Sequence, residues 1–245
     1  MPTFEYLKEQ AETYMQKGEF MMAQASLNLM WMEAGKDNMK KQAVHTLVGD
    51  IHVGLARQDI LNLEARMSNA LRDIGQRVQD TKEAYLFFFS DSAKEAMRHL
   101  QVIGPNMSAF LDYIDLTEKD IYSSLRKSIR TYAFAREGFS ERHHELKSKE
   151  AYARSVRAEF KFFTGKREDA LTEARKAEEL ICLSDTHESV YVNYTIGLIL
   201  LEQHSPLALS YIAKARDAAP RFKQINSREI AIVDGLYHRA IAQYS

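Results

Sequence analysis

Arg126 and Arg130 stand one helical turn apart, and Arg154, Arg157 and Lys161 follow at i, i+3 and i+7. Cations at these spacings share one face of a helix, where guanidinium groups can clamp a carboxylate or phosphate through paired hydrogen bonds. From Lys119 to Arg167 the chain carries 13 Lys and Arg against 6 Asp and Glu, a local excess of +7. Its net charge is −1, so the remainder carries about −8. Opposite Arg154, Arg157 and Lys161, the residues Tyr152, Val156, Phe160 and Phe163 form an apolar stripe, so this segment is an amphipathic helix with a basic polar face. That face has two readings. One is a solvated surface with salt bridges to acids such as Glu150 and Glu159. The other is a receiving surface for an acidic or phosphorylated segment of a partner.

Catalytic patterns are weaker. The eight histidines include no His-Glu-x-x-His motif. His45 and His52 share a helix face, but seven residues of helix separate them by about 10 Å, too far to share one metal directly. His143 and His144 are adjacent and point apart. Asp112 and Asp115 form an i, i+3 pair among exposed polar groups, with nothing in the sequence to raise a carboxyl pKa. There is no Gly-rich phosphate loop and no Gly-x-Ser-x-Gly elbow. The lone Cys182 lies between Leu180, Ile181 and Leu183, which predicts a buried thiol and excludes an intrachain disulfide. These patterns predict a protein that is not an enzyme, with no cofactor and no metal.

The elements that must position these residues are helices. Over 245 residues there are only 10 Gly and 4 Pro, and 45% of the chain is apolar, which predicts an all-α protein with short loops. The neutral overall balance gives no drive toward nucleic acid. The longest apolar runs, Tyr85 to Phe89 and Ile196 to Leu201, are too short for a membrane span, and the N-terminus has no signal-peptide pattern. A cytoplasmic protein is the expectation.

Periodicity predicts helices over Phe4–Lys17 and Glu19–Ala34, Asn38–Arg57 and Asp59–Ile74, and Val78–Phe89 and Ala93–Ile103, with Ser92 and Glu95 as a capping box. Gly104-Pro105 stops a helix. A short helix over Ser108–Leu116 and a longer one from a Thr117 cap to Glu137 follow. Next come a helix from Ser140 to Thr164 and its partner Arg167–Leu183. Ser205-Pro206 reads as an N-cap with proline at the first helical position, and Asn226 with Glu229 as a capping box for the last helix.

Small residues recur across these pairs. Ala11, Gly18 and Ala23 return as Ala158, Gly165 and Ala170, and Ala208, Ala215 and Pro220 repeat the second half. Turns at Gly18, Ala56, Asp91, Gly165 and Gln203 are separated by 38, 35, 74 and 38 residues, a period near 37. Small residues at Ala11, Gly49, Ala84 and Ala158 would let a second helix approach closely, with Tyr14 and Phe87 filling between units. The pattern resembles the tetratricopeptide repeat (TPR) over about half of the chain, though turn glycines are replaced in three units and residues 104–149 fit no unit. The resemblance implies a single domain over 1–245: an α-solenoid of antiparallel hairpins, about 12–13 helices in a right-handed superhelix, closed by a capping helix at 225–244. It also implies that first-helix polar residues, Asn193 and Tyr194 among them, face a concave groove.

The function expected from this reading is a protein- or peptide-binding adaptor, with Arg126, Arg130, Arg154, Arg157, Lys161, Asn193 and Tyr194 as contact residues. A module sensing a signalling peptide in a bacterial-type regulator is the alternative. A second alternative is a structural subunit that self-associates at its N-terminal end, where Met15, Met21, Met22, Met30, Met32 and Met39 gather around Trp31. Met21 and Met22 are adjacent, so one narrow helix face cannot bury both.

Overall fold

The computed structural model describes residues 2–73, 81–90, 105–138, 143–181 and 186–244. Among them every regular element is helical. The order is α1 (Phe4–Gln16), α2 (Phe20–Ala34), α3 (Asn38–Asp73), α4 (Thr81–Phe89), α5 (Pro105–Gly138), α6 (His143–Phe163), α7 (Arg167–Leu180), α8 (His187–Glu202), α9 (Leu207–Ala218), a 3-10 turn (Ala219–Arg221) and α10 (Ser227–Tyr244). The chain divides into two compact units, residues 1–135 with 163–165 and residues 136–162 with 166–245.

In the first unit, α1 begins at Thr3, whose hydroxyl accepts from the Tyr6 amide at 3.3 Å. Gly18 turns the chain into α2 at φ +74°, a conformation that a side chain resists. Phe4, Leu7 and Ala11 of α1 then pack against Ala23, Leu27, Met30 and Ala34 of α2 and Val44, Leu47 and Ile51 of α3. Tyr14 packs against the edge of this cluster.

Two expected breaks are absent. The turn predicted at Ala56 lies inside α3, one continuous helix of 36 residues, and Ala56 is fully buried. Arg57-Gln58-Asp59 holds no Gly or Pro, and tertiary packing carries the helix through. The cap predicted at Thr117 likewise lies inside α5. Its hydroxyl donates to the Tyr113 carbonyl at 2.8 Å, so the threonine back-bonds within the helix rather than starting one. Gly138 ends α5, as the sequence indicates, whereas Pro105 opens it three residues before the start expected at Ser108.

The second helix expected to approach Gly49, starting at Asp59, is part of α3 itself. A Cβ on Gly49 would overlap the Tyr132 ring of α5. Two bonds hold that approach: Ser128 Oγ donates to the Gly49 carbonyl at 3.0 Å, and Tyr132 OH donates to Asp50 Oδ1 at 2.6 Å.

Gly165, at φ +84°, turns α6 into α7, and in the second unit Ala158, Ala170, Ala174 and Ala177 are fully buried. α8 is enclosed almost all round, from Val190 and Val192 to Leu201. Gly197 lets the Ile212 side chain of α9 press onto its backbone. The turn after α8 falls where Gln203 was expected, with His204 taking the positive φ of 55°. Pro206, not Ser205, is the residue that precedes α9, and Ser205 makes no side-chain cap. At α10 the Asn226 amide donates to Glu229 Oε2 and the Glu229 amide to Asn226 Oδ1, each at 3.0 Å, a reciprocal capping box.

The Ser92–Glu95 box, the turn at Asp91, the helix at 93–103, the Ser140 cap and Cys182 lie outside the described residues. Among the described residues no helix is long and apolar enough to cross a membrane.

Candidate functional site

Arg154, Arg157 and Lys161 project from α6, whose other face buries Val156 and Phe160. Gly165 folds α7 back along α6, and this brings Glu173 beside the arginines. Arg154 donates from Nε and Nη2 to Glu150 Oε1, at 3.0 and 2.8 Å, and from Nη1 to Glu173 Oε1 at 2.8 Å. Arg157 Nη2 reaches the same Glu173 oxygen at 2.6 Å. Arg136 Nη2, at the end of α5, lies 3.4 Å from Glu150 Oε2. Lys161 pairs with Asp169 at 3.4 Å.

Both acids at the centre are buried, Glu150 at 1% exposure, while the arginines keep an edge in solvent. Burial pushes the Glu173 carboxyl up, but hydrogen bonds and charge from Arg157 and Arg154 outweigh it and hold the carboxyl below its ordinary value. Burial lowers Arg154, and Glu150 and Glu173 more than reverse that. So these guanidinium groups are engaged within their own unit, although Arg157 Nε stays buried without a hydrogen bond. Glu173 and Asp169 follow the basic segment Lys119–Arg167 in the chain, and a hairpin returns Glu173 to Arg154 and Arg157 and Asp169 to Lys161.

Asn193 donates from Nδ2 to the Ser189 carbonyl at 2.8 Å, one turn back on its own helix. Tyr194 packs half-buried against the cluster of Val190, Ala215, Ala218 and Val233.

Arg126 and Arg130 are different. Both are exposed on α5 in the first unit, with no ion pair to a described residue. One turn further along the same face stands Phe134, 60% exposed. Its ring meets the edge of His45, which in turn meets Trp31, with centroids 5.1 Å apart in each pair. Burial holds the His45 imidazole below its ordinary value. Lys41 lies 6.0 Å from the Trp31 ring. Helices α2, α3 and α5 thus assemble a strip that runs from two guanidinium groups, unpaired among the described residues, into an aromatic row. The sequence marked its cations; Phe134 and His45 join it only through packing between helices distant in the chain. His52, the other histidine of the predicted pair, is half-buried, and burial and the nearby Lys127 hold it low.

Fold and site together define an all-α helical protein with an exposed basic-aromatic strip. No family model, no curated protein and no solved structure gives a significant match to the chain.

Proposed function

We propose that this chain is a non-enzymatic, TPR-like scaffold, a right-handed α-solenoid of the cytoplasm, that binds a protein segment carrying acidic or phosphorylated groups beside an aromatic or aliphatic residue. The hairpins α1–α2, α6–α7 and α8–α9, each closed by a residue of positive φ, support the repeat reading. The observation that carries the binding role is the exposed row Arg126, Arg130 and Phe134, continued by His45 and Trp31. Uncommitted guanidinium groups can take carboxylate or phosphate in pairs, and exposed aromatic rings supply contact area with little entropy loss. Arg154 and Arg157 contribute less, because binding a partner would require breaking bonds to Glu150 and Glu173.

Acidic and phosphorylated peptide libraries, titrated against the chain while Trp31 emission is followed, test this reading. Arg126→Glu with Arg130→Glu should abolish binding at unchanged melting temperature, and Phe134→Ala should weaken it by about tenfold. Undiminished binding by the double variant would remove the strip as the site.

A further inference from the structure

Helices α2 and α8 are both apolar around their whole circumference, the pattern of a helix covered on every side. α8 is so covered: Thr195 and each residue from Ile196 to Leu201 is buried. α2 is not. Ala23, Leu27, Met30 and Ala34 face the core, while Met21 and Met32 on the far side are each 78% exposed, with Met22 and Leu29 about half exposed beside them. At 100° per residue these four fall within one sector of the helix, so they form one stripe and not scattered side chains. From their exposures the stripe offers on the order of 500 Å² of apolar surface, at the upper range for a lone soluble chain. A standard interface buries about 800 Å² per partner, somewhat over half of it apolar. The stripe is of the size that the apolar core of one such interface requires.

We infer that its occupant is a second copy of this chain, paired through α2 about a two-fold axis. Three features of the face are self-complementary. The first is its spacing. Met21, Ala25, Asn28 and Met32 are all exposed along one line of the helix, and their intervals of four, three and four residues read the same from either end. Antiparallel pairing therefore sets Met21 on Met32 of the second copy and Ala25 beside Asn28. The second is the middle of the seam. The small Ala25 leaves room for the facing Asn28, and the two Asn28 amides, flanking the axis, each carry a donor and an acceptor for the other. The third is charge. Lys17 and Glu19 precede α2, and Glu33, Lys36 and Asp37 close it, so each end offers both signs to the other end of the second copy. Elsewhere among the described residues the exposed large apolar side chains, Met39, Leu61, Leu86, Leu116, Phe134 and Ile232 among them, are spread over several helices, and none of those helices exposes four of them together as α2 does. A face that is complementary to itself gives a closed dimer rather than a filament.

Trp31 of the strip also lies on this helix, but the stripe holds none of Arg126, Arg130 and Phe134, so variants at Met21 and Met32 and variants at Arg126 and Arg130 tell the failures of the two surfaces apart. Sedimentation equilibrium of the full chain, from low micromolar to about 100 µM, should show a reversible monomer–dimer equilibrium and nothing larger. Met21→Glu with Met32→Glu should weaken dimerisation more than tenfold while helicity and melting of the monomer are retained, since both side chains are already solvated. Ala25→Cys in a Cys182→Ser background, treated with a short bis-maleimide, should cross-link to a single dimeric species. A strictly monomeric chain, a ladder of higher species, association unchanged in the double variant, or failure of Ala25→Cys to cross-link would each overturn the proposal.

Discussion

Glu173 answers two arginines from a buried position, and its neighbours hold it ionised. A carboxyl whose folded pKa lies below its unfolded value stabilises the fold above the unfolded pKa, near 4.5, and that stability is lost as pH falls through the folded value. Glu173→Gln should therefore flatten the acid limb of the stability profile below about pH 4.5. At neutral pH it leaves Arg154 and Arg157 partly buried and short of a partner. The expected loss is roughly 2–3 kcal/mol by urea denaturation, below the cost of breaking a fully buried pair because the guanidinium edges are solvated. His45 gives the opposite window. It titrates below 6.5 in the folded chain, so stability is full above about pH 6.5 and declines as pH falls through that value toward the folded pKa. Trp31, the only tryptophan, stands 5.1 Å from His45 and reports this directly. Its emission should titrate with a midpoint below 6.5, and His45→Phe should abolish the transition. The cations of this surface are legible in the sequence because spacing fixes a helix face. Their partners are not: Glu173 lies 19 residues beyond Arg154, and only a hairpin joins them.

Among the elements, caps and breakers were read well where local chemistry is decisive. Asn226 and Glu229 close their box with backbone bonds three residues apart, which needs no tertiary information. Asn226→Ala should cost about 1 kcal/mol, measured as a lowered urea midpoint with unchanged slope. Gly18 and Gly165 turn the chain because only a residue without Cβ takes their φ cheaply. The errors at Ala56 and Thr117 share one cause. Polar residues inside a long helix resemble a stop when the neighbours that bury the opposite face are unknown. Gly49 was correctly read as a close approach and wrongly paired, since Tyr132 lies 83 residues along the chain. Gly49→Ala should destabilise by about 1–2 kcal/mol: overpacking against the ring exceeds the gain in helix propensity. Gly235→Ala, where nothing stands within 4 Å of the added methyl, should instead stabilise by about 0.5–1 kcal/mol.

For the whole molecule, the two compact units give a stability prediction of their own. Gly49→Ala should speed amide exchange mainly within residues 1–135, leaving the amides of α8 and α9 near their original protection. The helical class, the glycine turns at Gly18 and Gly165 and the basic segment were readable from the chain of residues, because propensity, glycine conformation and charge spacing act over a few positions. Tertiary packing settled that Arg154 and Arg157 are committed to buried acids while Arg126 and Arg130 have no ion pair among the described residues. It also settled which methionines lie inside: Met30 is buried and Met21 and Met32 are not, although all three sit on one apolar helix. Local sequence states that a side chain is apolar; only the packed neighbours state whether anything covers it.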